Sequence, residues 1–160
     1  MYRRILVPLD GSALAAGVLE HLLALARRYR AQLILLTVGP PAAGESRAAR
    51  GTHWPSTFEA EAYLLRLRDW VRAQGLEARV VVRIGDPAAE ILACAEREGA
   101  DLIVMASRGG GGTPSPFLGS VAARVLRAAT VPVLVLRVAA APPPSRGEGP
   151  AVTFPALAPS

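Results

Sequence analysis

A chain of 160 residues, 51% of them hydrophobic, is long enough to bury one substantial core. Its formal charge of +5 comes from 18 arginines, with no lysine at all, against 13 acidic residues; the arginines are scattered and not interleaved with aromatics, which argues against a nucleic-acid surface. A lone cysteine, Cys94, excludes an intramolecular disulfide, and no apolar run of about 18 residues exists to cross a membrane.

Arg3-Arg4 is followed by only a few apolar residues before Pro8 and Asp10, too short a stretch for a signal peptide, so a cytoplasmic protein is expected. Ile5-Leu6-Val7-Pro8-Leu9 predicts a strand buried on both faces, with Pro8, which lacks an N–H, at its end. Asp10-Gly11-Ser12 predicts a turn in which Asp10 or Ser12 caps a helix; Leu14, Val18, Leu22 and Leu25 then recur at helical spacing as far as Arg30. Gln32 to Val38 predicts a second buried strand. Residues 39–55, rich in Gly, Pro and Ala, have no period and are long for a connection inside a compact domain. Ser56 with Glu59 forms a capping box for a helix that uses Tyr63, Leu64, Leu67 and Val71 and ends at Gly75.

Ala78 to Ile84 predicts a third strand. Gly85-Asp86-Pro87 then starts a helix, with Asp86 as N-cap and Pro87 in the first helical position, that runs to Gly99 and carries Cys94 as a small buried hydrophobe. Asp101 to Met105 is the fourth strand, Ser107 to Leu118 a glycine-rich loop, Gly119 to Ala129 the fourth helix and Val131 to Leu136 the fifth strand. Residues 139–160 are Pro- and Ala-rich without a core-forming period and are expected to form a disordered tail behind a single domain of residues 1–138. Strands alternating with helices imply parallel pairing with right-handed crossovers. The fold expected is therefore a three-layer, Rossmann-like α/β sandwich: a five-stranded parallel sheet of order 3-2-1-4-5 with four helices. That order brings the two unusual loops, after the first and fourth strands, to one crevice at the point where strand order reverses.

The chemistry of that crevice is concrete. A strand, a glycine-rich loop and a helix start form the geometry that binds phosphate through backbone N–H groups. Gly109 lets the backbone approach without a Cβ in the way. Gly119 and Ser120 open a helix whose first N–H groups and positive dipole end suit an anion, and the Ser120 hydroxyl adds a donor. Arg108 supplies a fixed charge that can fork onto phosphate oxygens. Asp10 offers acceptors to a ribose or an adenine amino group, at the end away from the phosphates. Each residue taken alone also has an ordinary role, Asp10 as a helix cap and the glycines as a plain turn; spacing and context together make the signal.

Jointly, these residues resemble the universal stress protein family. The matching stretches are Ile5 to Ser12, Gly85-Asp86-Pro87-Ala88, Ala100 to Gly109, Gly119-Ser120-Val121-Ala122 and Val131 to Val135, in order over residues 1 to about 138. The resemblance implies a five-stranded α/β domain, a homodimer and ATP binding through a Gly-x2-Gly-x9-Gly-Ser/Thr motif. It places Gly109, Gly119 and Ser120 at the phosphates, Met105, Ala106, Arg108 and Val121 along the pocket, and Pro8, Asp10 and the backbone of Val38 around adenine and ribose. The chain departs from the pattern twice. Ala106 stands where the first motif glycine is expected, its methyl narrowing the approach. Residues 110–118 carry no Arg or Lys, which weakens triphosphate binding more than monophosphate binding and leaves ATP, ADP and AMP all open as ligands.

No Walker-type Gly-Lys-Ser/Thr is present, and a divalent ion such as Mg2+ would be shared through the phosphates with Asp10 and Ser120, not held in a site of its own. His21 falls on a helix; His53 and Trp54 lie in the long connection, where Trp54 could cover a base. Binding without fast hydrolysis is therefore expected, in a stress-response regulatory protein. The alternative is a ligand-free interaction module of the same fold; a weak ATPase ranks last for want of a base. The fifth strand, an apolar edge, invites pairing with a second copy.

Overall fold

The computed structural model describes residues 1–39, 57–108 and 118–137, with the backbone alone at 13–16 and 57. Over these residues five strands alternate with four helices: β1 Arg4–Pro8, α1 Ala13–Tyr29, β2 Gln32–Gly39, α2 Thr57–Ala73, β3 Ala78–Ile84, α3 Pro87–Glu98, β4 Leu102–Ala106, α4 Ser120–Ala128 and β5 Val133–Leu136. Every strand pair is parallel and the order is β3-β2-β1-β4-β5, as the loop argument anticipates.

A strand with helices on both sides needs apolar side chains pointing both ways. β1 and β2 meet that need with Ile5-Leu6-Val7 and Leu33-Ile34-Leu35-Leu36, all 0% exposed. Because successive residues point to opposite faces, the core divides in two. Ile5, Val7, Leu33, Leu35 and Val104 pack with Val18, Leu22, Tyr63, Leu64 and Val71 of α1 and α2. Leu6, Ile34, Leu36, Ile103 and Met105 pack with Ile91, Cys94, Ala122 and Val125 of α3 and α4. Cys94 is buried there, and burial pushes its thiol up, the behaviour of a core hydrophobe and not of a reactive thiolate.

The element ends follow from their hydrogen bonds. Asp86 caps α3 by accepting from the Ala89 N–H at 3.0 Å, Pro87 takes the first turn, and Gly99 closes the helix in the left-handed region at φ 59°. β5 begins at Val133, later than the apolar run suggests. Pro132 has no N–H to give, although its carbonyl still accepts from Ile103 at 3.0 Å. β4 begins after Asp101, whose carboxylate accepts from the N–H groups of Arg3 and Arg4 at 2.8 and 3.2 Å and so stitches the two strand starts together. Residues 40–56 and 138–160, which include Ser56 of the expected capping box and the whole expected tail, lie outside the described residues.

Candidate functional site

Strand order reverses between β1 and β4, and the carboxyl ends of the strands at such a reversal border a crevice. The register Ile5↔Leu102 and Leu6↔Ile103, carried along, brings Pro8 level with Met105. On the other side Pro8 pairs with Leu36, so Val38 stands level with Asp10. Two bonds fasten the segment that presents Asp10: the Leu9 N–H donates to the Leu36 carbonyl at 2.8 Å, and the buried Thr37 hydroxyl donates to the Leu9 carbonyl at 2.9 Å. Asp10 Oδ1 accepts from the Ser12 N–H at 2.9 Å and from the Ser12 hydroxyl at 2.5 Å, closing a tight turn over Gly11 (φ 82°) ahead of α1.

The charge on Asp10 is felt by α2. Tyr63 is 1% exposed. Burial first, and the negative charge of Asp10 second, push its phenol up to about 12 against the opposing pull of Arg66. Below pH 10 folded and unfolded chains both keep this proton. Between about 10 and 12 the unfolded chain ionises first, so stability falls as pH rises, by about 2–3 kcal/mol in all. Urea titrations of wild type and Tyr63→Phe across that window should show this alkaline loss in the wild type and a flatter profile in the variant; equal slopes would refute it.

On the β4 side, the Ser107 N–H donates to the Leu136 carbonyl and the Gly119 N–H donates to the Ser107 carbonyl, both at 2.8 Å. The start of α4 is thereby set against the end of β4. A Cβ at position 119 would come within 3.2 Å of the Ser107 oxygen and 3.3 Å of the Arg108 Cα, so the closeness of this approach is what calls for glycine; the backbone there is extended, with φ −63° and ψ 152°. Unlike α3, α4 has no side-chain cap among the described residues and no acidic residue in its first turn. Its first intrahelical bond is Ala123 N–H to Gly119 carbonyl at 2.9 Å, which leaves the N–H groups of Ser120, Val121 and Ala122 without an intrahelical partner. Ser120 is exposed and half-buried Val121 packs against the α3/α4 core.

Val38 and Met105, 7% and 6% exposed, lie on that same α3/α4 face, and alternation from Leu6 puts Pro8 there too. Ala106 does not follow the expectation set by the sequence. It packs against the α1/α2 core, on the opposite face from Met105 and Val121, so its methyl does not narrow the α4 side. Nor does it take a positive φ; among the described non-glycine residues only Arg30 does. Half-buried Arg108 lies beside Gly119. Gly109 and the rest of the loop, residues 109–117, lie outside the described residues, as do His53 and Trp54.

Sequence reasoning missed three contributors. Thr37 and Tyr63 read as ordinary core positions. The third is a clasp between α3 and α4: the Arg124 guanidinium donates from Nη1 and Nη2 to the two oxygens of Asp86, each at 2.8 Å. Hydrogen bonds from Arg124 and from the Ala89 N–H hold the Asp86 carboxyl below the usual carboxylate range. Asp86 was visible as a cap, but its partner lies 38 positions away and no local pattern connects them. Among the described residues no three His, Cys, Asp or Glu side chains gather as metal ligands, and no helix is long and apolar enough to cross a membrane.

An all-parallel sheet that reverses at β1/β4, with helices on both faces and a helix start set at the reversal, defines an α/β protein of the Rossmann-like class. Residues 1–137 match the profile of the universal stress protein family, and the chain belongs to that family. It is 32% identical to the universal stress protein YxiE of Bacillus subtilis, over 86% of this chain and 100% of that protein. It is 37% identical to the universal stress protein Sll1654 of Synechocystis, over 85% and 86% of the two chains. Among solved structures it resembles MJ0577 of Methanocaldococcus jannaschii, with a TM-score of 0.73 at 26% identity over 87% of this chain and 98% of that one. A universal stress protein in complex with cAMP (TM-score 0.65, 24% identity, 85% and 97% coverage) and that of Archaeoglobus fulgidus in complex with dAMP (0.63, 23%, 84% and 97%) share the fold.

Proposed function

We propose that this chain is an adenine-nucleotide-binding regulatory protein of the stress response, working in the cytoplasm as a homodimer and holding AMP, ADP or ATP without fast turnover. The observation that carries the reading is the start of α4, without a side-chain cap among the described residues and fixed against the end of β4 where strand order reverses. The complexes of relatives with cAMP and dAMP support adenine as the base.

In this reading the N–H groups of Ser120 and Val121 and the Ser120 hydroxyl donate to phosphate oxygens, with Gly109 and Gly119 keeping the approach open and Arg108 adding charge. Pro8, Val38, Met105 and Val121 wall the base, beside the Ala106 backbone. Asp10 accepts from the sugar hydroxyls or the adenine amino group. Mg2+ would arrive with the phosphates and not in a protein cage. The loop of residues 110–118, without Arg or Lys, favours the monophosphate. The same uncharged loop favours the second reading, a dimerising module without a ligand.

Mass spectrometry of small molecules released from the purified, denatured protein, followed by calorimetric titration with AMP, ADP and ATP, tests the proposal. Heat of binding from at least one of the three is expected, with hydrolysis below roughly 1 per second; silence from all three leaves the second reading. Replacing Ala106 with glycine, the residue the motif expects, should change AMP affinity less than about twofold and cost about 1 kcal/mol of stability in urea, because its methyl packs on the other face. A large gain in affinity would contradict that placement. In this reading the two copies pair through the β5 edge, where Leu134 is 39% exposed. Sedimentation that shows only monomer at micromolar concentration would refute it.

A further inference from the structure

The geometry points to Asp86 and Arg124 as positioning residues that aim the first turn of α4 at the ligand's phosphate, an inference that rests on the nucleotide reading above. Nine residues, 109–117, separate the last described residue after β4 from Leu118, just ahead of α4. The seat of α4 is therefore read from the contacts of its described residues. The Gly119–Ser107 bond fixes one point at the helix tip. Ala122 and Val125 seat the body of the helix on the α3/α4 core, but apolar contacts are non-directional, so its rotation calls for a directed contact as well.

Arg124 provides that directed contact. It lies one turn beyond Ser120, so the two residues share a face of the helix. Its planar fork meets both oxygens of Asp86 at 2.8 Å, a geometry that sets direction as well as distance. Asp86 is itself rooted: Oδ1 also accepts from the Ala89 N–H, the Asp86 carbonyl accepts from Glu90 at 2.9 Å, and the preceding Gly85 N–H donates to the Gly39 carbonyl at 3.2 Å. The clasp thus ties α4 to the end of β2, the strand end that carries Val38. The pair is well exposed, at 50% and 39%, where an ion pair adds little to overall stability. A double-donor contact of small energetic weight, joining the N-terminal end of α3 to α4, suits orientation better than cohesion.

Three variants separate the roles. Asp86→Ser keeps a hydroxyl to cap α3 but loses the clasp; Arg124→Ala loses the clasp and leaves the cap; Arg124→Lys keeps the charge without the fork. AMP affinity is read by calorimetry, and adenosine affinity by NMR titration, which follows weak binding too. AMP binding is expected to weaken about tenfold in Asp86→Ser and in Arg124→Ala, with the double variant no worse than either single and lysine giving only partial rescue. Adenosine, which has no phosphate to aim at, should bind all of them as it binds the wild type. Unchanged AMP affinity, additive losses, or equal losses of adenosine and AMP would each overturn the positioning role. Where the wild type binds ADP or ATP in place of AMP, that nucleotide takes the place of AMP in the comparison; a wild-type protein that binds none of the three overturns the nucleotide reading itself, and the inference with it. The two sites are tested by separate substitutions, so a failure of one to fold leaves the other to decide.

Discussion

Replacing Ser120 with glutamate is expected to leave the fold at least as stable as before while weakening AMP binding about 30- to 150-fold, the equivalent of about 2–3 kcal/mol. The two effects separate because they act on the same helix end. The first turn of α4 contains no acidic residue, and Ser120 is exposed, so a carboxylate there meets the positive end of the dipole at no packing cost. For that reason urea denaturation should move slightly upward or not at all. A bound phosphate wants the same N–H groups and the same dipole. It would lose the serine hydroxyl and meet a like charge at close range. Calorimetry and urea titration on one preparation provide both readings. A variant that binds AMP as the wild type does would remove the start of α4 from the site, whatever its stability.

Leu6→Ala should cost about 3–5 kcal/mol and lower the thermal midpoint by about 10–20 °C. Leu6 is 0% exposed on β1, the strand flanked by β2 and β4, and it faces the α3/α4 core with Ile34 and Ile103. Neighbouring strands on both sides hold the backbone, so the site collapses poorly and most of the cavity persists. Against a total stability of about 5–15 kcal/mol such a loss is a large part of the whole. Chemical denaturation measures it directly. A cost below about 1.5 kcal/mol would mean that the two cores are far more deformable than their packing indicates.

The fold was readable because its physics is local and repetitive. Strands buried on both faces spell themselves out as unbroken apolar runs, as Leu33 to Leu36 do, and Gly85-Asp86-Pro87 announces a helix start by its caps. The sheet order followed from one non-local premise, that the turn at Asp10 and the glycine loop belong to a single crevice. Boundaries were less sharp. Val131 belongs to the apolar run but not to β5, because Pro132 cannot donate to the ladder. The site was readable where a residue type has a narrow use, as at Gly119, whose closeness to Ser107 leaves little room for a side chain. It was unreadable where the meaning of a residue depends on which face it occupies. Ala106 looked like an obstruction in the motif until the alternation of β4 turned its methyl to the other side. Arg124 looked like one arginine among 18 until α3 and α4 stood side by side.

The bare front of α4 has a consequence for motion. At nine residues the helix is too short to persist alone, and it is held by Ala122 and Val125 beneath it and by the Asp86 clasp at its second turn. Among the described residues no side chain caps its first amides, so fraying is expected to begin there and solvent deuterium to enter there first. An anion resting on those amides would act as a stopper, and its arrival would be written as slowed isotope uptake across Ser120 to Ala122.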